Sequence, residues 1–262
     1  MYVGTLSRYY CGEWETILQQ SSANQSRNEP PAANPTQLEV SRKQLEAAVR
    51  EVAEKLGGRL EVPGNRPAIT DRDRRRVQKD LEGWRKRLAH QLKGKIPTEL
   101  TWNESSSAPY FTDKPGWESY GSLLLWAAHE EHPEIPRPES APTDWTKSQA
   151  WQASAANRAG TRYGQLISGP EVWLPLDFSF TFEAEDLAGK RVPIGSSVQL
   201  LRELKSLNDR TWLASENETE QWMRKGPDPA GSLEGNAQFG YAVLSFLGGK
   251  AVAHRLPMKL DY

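Results

Sequence analysis

The amino-acid sequence predicts an α+β fold, in which a small mixed or antiparallel sheet packs with several helices and is preceded by a basic antiparallel helix pair. Apolar residues recur at helical spacing in two segments before residue 97. Further along, phenylalanines alternate with polar residues over 177–182, which is typical of a half-buried strand. A chain of 262 residues is long enough to bury a core without disulfides.

Capping residues and apolar stripes predict the basic helix pair. The first helix is expected over 41–56, where Ser41 and Gln44 have the spacing of a capping box. The second helix is expected over 71–92, with an apolar face formed by Val77, Leu81, Trp84, Leu88 and Leu92. Residues 57–67 are rich in Gly and Pro, so we expect a turn that makes the two helices antiparallel.

The α+β body is expected after residue 97. Strands are predicted over 172–174, 177–182 and 191–194, and helices over 117–131, over 144–159, after Ser196 and from Asn217. Ser196 and Asn217 are predicted helix starts because Gln or Glu follows each three residues later.

The end of the chain has two interpretations. Residues 239–254 form either a helix or a hairpin that turns at Gly248-Gly249. We favour the helix, followed by a last strand over 256–262, because the segment is rich in Ala and lacks alternation.

Composition divides the chain into four parts. Residues 1–19 are expected to join the body, and residues 20–40, which are rich in Asn, Ser, Gln and Pro, to form a flexible linker or loop. The helical pair over 41–96 has 16 basic and 8 acidic residues, whereas the Trp-rich body over 97–262 has 15 basic and 22 acidic residues. With this division of charge, the two parts could face each other, or each could face a partner.

Several classes of protein are disfavoured by composition. The single cysteine, Cys11, excludes an internal disulfide framework and fits a reducing compartment. The longest apolar run, Leu123–Ala128, is far shorter than the roughly 20 residues that cross a bilayer. The first residues lack the basic and apolar regions of a secretory signal. We therefore expect a cytoplasmic protein without a membrane partner.

Catalytic motifs are sparse. The sequence has no Gly-x-Ser-x-Gly elbow, no phosphate loop and no Gly-x-Gly-x-x-Gly. His129 and His132 lie three residues apart and could share a metal ion, but zinc proteases use His-Glu-x-x-His with a spacing of four. We expect no cofactor and favour a protein without enzymatic activity, with a metal-dependent hydrolase at these histidines as an alternative.

The second predicted helix offers a nucleic-acid alternative. Its candidate phosphate contacts are Arg72, Arg75, Arg76, Lys79 and Lys86. Acidic residues are interleaved with them, and no aromatic residue is placed to stack on bases. We therefore expect a nucleic-acid-associated role less than a protein-binding one.

Aromatic and acidic residues in the loops over 102–145 predict a protein-binding face. Ten tryptophans are spread over the chain, and a tryptophan-rich core is the simplest explanation for them. Half-buried indoles are also favoured anchors of protein interfaces. The candidate contact residues are Trp102, Tyr110, Phe111, Asp113, Trp117, Glu118 and Trp145. The sequence thus predicts a non-catalytic protein-binding protein. A bacterial immunity protein that neutralises a toxin by direct binding would fit this description.

Overall fold

The computed structural model describes residues 1–13, 69–96, 99–158 and 160–260. These residues form eight α-helices and a mixed six-stranded sheet, which confirms the predicted α+β class. The predicted linker over 20–40 and the predicted helix over 41–56 lie outside the described residues. The helix pair and the four-part division of the chain therefore stay predictions.

Two compact units divide the chain. One contains residues 1–7 and 77–262, and the other contains residues 8–76. In the second unit, Arg74 pairs with Glu13 at 2.7 Å and with Asp71 at 3.0 Å. Thr70 and Asp73 also bond to each other at the start of the helix that begins at Asp71.

Helices and strands are interspersed along the chain. The helices are α1 (Leu6–Tyr10), α2 (Asp71–Leu92), α3 (Gly116–Glu131), α4 (Gln149–Ala156), α5 (Gly164–Ile167), α6 (Ser197–Arg210), α7 (Glu216–Lys225) and α8 (Leu233–His254). The strands are β1 (Tyr2–Val3), β2 (Phe111–Thr112), β3 (Val172–Leu174), β4 (Phe182–Glu185), β5 (Arg191–Ser196) and β6 (Met258–Lys259). A short 3₁₀ helix, Trp145–Lys147, precedes α4.

The sheet has the order β2-β1-β6-β3-β5-β4. Strands β3 and β5 run parallel, with Val172 opposite Ile194, and the other four neighbouring pairs are antiparallel. Strand β1 lies between β2 and β6, where Tyr2 is opposite both Thr112 and Lys259. The first and last described strands are therefore neighbours, and residues near both ends of the sequence come together.

Helices α3 and α8 form the centre of the helical layer. They pack against each other, and α8 also contacts α6 and α7. All residues from Ser119 to His129 in α3 are buried, because this helix is enclosed by neighbours on every side. At the contact with α8, Gly240 lies against the backbone of Ser119, so the two helices approach closely.

Local sequence signals predicted several elements correctly. Helix α2 has the predicted bounds, and four residues of its predicted apolar face, Leu81, Trp84, Leu88 and Leu92, are buried. The Ser196 hydroxyl accepts the Gln199 backbone N–H at 3.0 Å and caps α6 as expected. The C-terminal segment is a helix that continues through Gly248-Gly249, so the favoured interpretation is confirmed.

Three predicted elements need correction. The strand expected over 177–182 is misplaced, because strand pairing begins only at Phe182. Phe178 and Phe180 instead pack with Phe182 at ring distances of 5.2 to 6.2 Å, in a segment without ladder hydrogen bonds. The helix expected over 144–159 is interrupted at Ser148, which has extended backbone. Helix α7 is capped by Ser215 and Glu218, two residues earlier than the predicted pair.

Candidate protein-binding surface

Trp117 is the most exposed tryptophan in the described part of the chain, with 54% of its surface accessible. It follows Pro115 and Gly116, where the chain turns from β2 into α3. Gly116 has a φ of 72°, a conformation that glycine adopts without strain. This turn places the indole in the exposed first turn of α3, before the residues 119–129 that are buried.

Trp117 packs against a cluster of aromatic side chains. Its ring lies 5.9 Å from the ring of Trp145 and 6.0 Å from that of Tyr120. Trp145 in turn contacts Trp151 edge to face at 4.6 Å. Gly121 makes room for Trp145, because a side chain at this position would collide with the indole. The exposed indole therefore packs against buried aromatic rings, which hold its orientation.

A cleft of about 320 Å³ lies beside Trp117. It is lined by Met1, Lys114, Pro115, Gly116, Trp117, Tyr120 and Leu260. Most of this lining is apolar, and the cleft is at the small end of the range for ligand pockets. It is large enough to receive an apolar side chain from a partner.

One charged residue, Lys114, lines the cleft, and two acidic residues, Asp113 and Glu118, neighbour this lining in the chain. Lys114 and Glu118 are exposed, and Asp113 is half-buried, with its backbone carbonyl bound to the Met1 amino group at 2.7 Å. An apolar centre with a polar rim is the usual arrangement of a protein interface. Of the predicted contact residues, Trp117 is exposed beside the cleft, with Asp113 and Glu118 close to it in the chain. Trp145 was also predicted to contact a partner, but it is only 7% exposed and belongs to the core, because it packs between Trp117 and Trp151.

Other predicted contact residues lie elsewhere. Trp102 is only 5% exposed, and its ring contacts Trp84 at 5.7 Å. The Trp102 indole donates to the carboxylate of Glu104, which also accepts the backbone N–H of Leu6. Trp102 therefore belongs to the core, and we leave it out of the candidate surface.

Phe111 and Tyr110 are half-buried at and beside the outer strand β2. The Phe111 ring lies 5.2 Å from the imidazole of His254 on α8, so Phe111 is part of a different surface.

Part of the cleft was not predicted from the sequence. Tyr120 follows Trp117 by three residues, and this helical spacing could have indicated that the two rings are neighbours. Met1 and Leu260 join the lining only because β1 and β6 are adjacent in the sheet. No local pattern in the sequence indicates that pairing.

The two histidines of the metal alternative have separate partners. His129 is buried, and its Nδ1 lies 3.3 Å from the carbonyl of Ile135, whereas Nδ1 of His132 lies 3.3 Å from Glu134. Burial lowers the pKa of His129. Within the described residues, no group of three His, Cys, Asp or Glu side chains is arranged to hold a metal ion.

The cations of the nucleic-acid alternative lie on α2. All five are exposed: Arg72, Arg75, Arg76, Lys79 and Lys86. Exposure is also what a solvated helix face requires, so it does not favour nucleic acid over solvent. This alternative stays a prediction.

Two polar clusters connect elements of the helical layer. Glu130 accepts a hydrogen bond from the Tyr163 hydroxyl at 2.6 Å and pairs with Arg162 and Arg210, both at 3.2 Å. Burial and this carboxylate raise the pKa of Tyr163. The cluster joins α3, the loop before α5 and the end of α6, and its two arginines are exposed.

The second cluster centres on Glu203, which is 3% exposed. Its carboxylate accepts the backbone N–H groups of Gln165 at 2.8 Å and Leu166 at 3.2 Å, and so caps α5. Burial raises the pKa of Glu203 to about 7, although these N–H donors act in the opposite direction. Its contacts are the backbone N–H groups of α5 and the side chain of Gln199, so Glu203 acts as a structural cap.

Comparison with known proteins identifies no relative. No protein-family model, curated protein or solved structure matches this chain. Among the helices that the structure describes, none has the length and hydrophobicity needed to cross a membrane. The candidate function therefore has to be argued from the surface itself.

Proposed function

We propose that this chain is a non-catalytic protein that acts by binding another protein at the Trp117 cleft. The observation that carries this proposal is the exposed indole of Trp117 beside an apolar concavity of about 320 Å³. Tryptophan is the residue type most enriched among side chains that dominate binding energy. A bound partner would cover the indole and fill the cleft with an apolar side chain.

The supporting cluster favours tight binding. Trp145 and Tyr120 hold the Trp117 ring in place before a partner arrives. A preorganised aromatic anchor loses little conformational entropy on binding, so more of its burial energy contributes to affinity. Lys114 lines the cleft, and Asp113 and Glu118 lie next to the lining in the chain, so charged groups near the anchor could select a partner.

The finer proposal is a cytoplasmic immunity protein that neutralises a toxin by covering part of its surface. It is supported by the lone cysteine, which suits a reducing compartment, and by the division between basic and acidic segments. Such a role needs no catalytic group, only an interface that binds one partner.

The binding proposal is tested with the product of a neighbouring gene as the purified partner. Trp117→Ala is expected to raise the Kd for this partner at least about tenfold, as for a central aromatic anchor. Leu213→Ala is the matched control, because Leu213 is also a large exposed apolar residue, at 77%. Equal binding by the wild type and Trp117→Ala would exclude the cleft as the interface.

The immunity role is tested by growth. Cells that produce the neighbouring gene's toxin should grow when they also produce the wild-type chain or Leu213→Ala, but not when they produce Trp117→Ala. Circular dichroism checks that the variants are folded. If the wild-type chain binds that protein but gives no protection, the immunity role is wrong while protein binding stands.

A further inference from the structure

The outer face of α8 presents aromatic and cationic side chains together. Its residues Phe246, Gly249, Lys250, Ala253 and His254 follow helical spacing and share one side of the helix. Phe246 is 38% exposed, although much of α8 is buried. At Gly249, a side-chain carbon would meet no atom of the described residues within 4 Å, so on this part of the structure the helix backbone is open to close approach.

Phe111 extends this face onto the neighbouring strand. The Lys250 ammonium lies 5.4 Å from the Phe111 ring and 5.3 Å from the Phe246 ring. On the other side, the Phe111 ring lies 5.2 Å from the imidazole of His254. Cation–π contacts with two rings hold the ammonium between them while its charge is retained.

The charge at this face is not neutralised within the described residues. Lys250 and His254 have no carboxylate within the 4.0 Å of an ion pair there, and neither has Arg255, the next residue after α8. The only acidic residue of α8 is Glu234, about 24 Å away along the helix axis.

Lys250 differs in this respect from most cations of the preceding segment, although Lys225 also has no ion pair within the described residues. Every lysine and arginine between residues 160 and 224 lies within 3.2 Å of a carboxylate. The chain beyond residue 97 is acidic as a whole. Within the described residues, this face therefore combines a lysine without an ion pair, the exposed ring of Phe246 and the half-buried ring of Phe111, and this combination complements an acidic partner.

We propose that the face formed by Phe111, Phe246, Lys250 and His254 is a second docking surface, which binds an acidic peptide segment that also carries apolar residues. A carboxylate of the segment would pair with Lys250, and an apolar side chain would cover Phe246 above Gly249. This surface is separate from the Trp117 cleft, and the proposal does not depend on the function proposed for that cleft.

The test uses fluorescence anisotropy with a labelled peptide of Glu-Glu-Leu repeats at low ionic strength, and a peptide of Gln-Gln-Leu repeats as the comparison. The wild-type chain should bind the acidic peptide more tightly, and this preference should fall as salt is added. Lys250→Gln should weaken binding about tenfold. Phe246→Ser should also weaken it, whereas Arg224→Gln, at an exposed cation paired with Glu220, should not.

Three other outcomes would overturn the proposal. Equal binding of the two peptides would show that charge is not recognised, and unchanged binding by folded Lys250→Gln and Phe246→Ser would place the peptide elsewhere. Tighter binding of single-stranded oligothymidylate that depends on Lys250 would identify a nucleic-acid surface instead. Circular dichroism of each variant separates lost binding from lost folding.

Discussion

The indole Nε1 of Trp84 donates a hydrogen bond of 2.6 Å to the backbone carbonyl of Glu185, and thereby joins α2 to the outer strand β4. Two residues earlier on the strand, the carbonyl of Glu183 accepts a hydrogen bond from Gln91 at 3.0 Å. Alternate residues of an outer strand point their carbonyls the same way, so side chains from one helix satisfy both groups. An uncovered strand edge would invite pairing with another chain.

Replacing Trp84 tests this edge contact. Trp84→Phe keeps an aromatic ring in the core but leaves the Glu185 carbonyl without its donor, so we expect a loss of about 1–3 kcal/mol in the free energy of unfolding. Gln91→Ala, at an exposed position, should cost much less. Urea denaturation measures both losses. Equal losses would show that the Trp84 hydrogen bond contributes no more to stability than the Gln91 hydrogen bond does.

The close contact between α3 and α8 predicts that substitutions at two glycines of α8 have opposite effects on stability. Gly240→Ala would push a methyl group into the Ser119 carbonyl, so we expect a loss of about 1–3 kcal/mol in stability. Gly249→Ala meets open space and should gain up to about 1 kcal/mol, because alanine favours the helix. Thermal unfolding of the two variants checks this, and a stable Gly240→Ala protein would contradict the packing.

Glu203 makes stability depend on pH. Its pKa is raised from 4.5 to about 7 in the folded chain, so the folded state holds this proton more tightly than the unfolded state does. The resulting stabilisation is fully present below about pH 4.5 and is lost as the pH rises towards 7. It amounts to as much as roughly 3 kcal/mol. Urea denaturation at pH 5 and pH 8 measures the difference.

A matched pair of variants assigns this effect to Glu203. Glu203→Gln should reduce the difference in unfolding free energy between pH 5 and pH 8, because the titrating group is gone. Glu220→Gln removes an exposed carboxylate and should leave the difference nearly unchanged. If Glu203→Gln retains the full difference, another group is responsible.

His129 has the opposite pH dependence. Burial lowers the pKa of His129 below 6.5, and the charges of Arg137 and His132 lower it further. The hydrogen bond with the Ile135 carbonyl raises this pKa, but by less than burial lowers it. The folded state therefore binds this proton more weakly than the unfolded state, and stability falls as the pH drops below 6.5. In a Glu203→Gln background, which removes the opposing effect, unfolding free energy should decrease from pH 7 to pH 5.

Adding His129→Gln to that background should flatten the decrease, since glutamine does not titrate. The same urea series provides the measurement. A decrease that persists in the double variant would show that acid acts on other groups.

The sequence alone was sufficient for elements that carry their own start and stop signals. Helix α2 has an apolar stripe and acidic residues in its first turn, and Ser196 caps α6 through an atom three residues away. These interactions are local, so they form with little dependence on the rest of the fold. The same local patterns sufficed for the α+β class.

Tertiary structure decided where strands form and which aromatic side chains are exposed. The alternation over 177–182 predicted a strand, but a strand needs a neighbour, and pairing with β5 begins only at Phe182. Trp102 and Trp117 both lie in polar surroundings in the sequence, yet one is covered by Trp84 and Arg85 and the other is exposed beside the cleft. Burial depends on partners distant in the chain, because apolar area is removed from water only where separate segments meet.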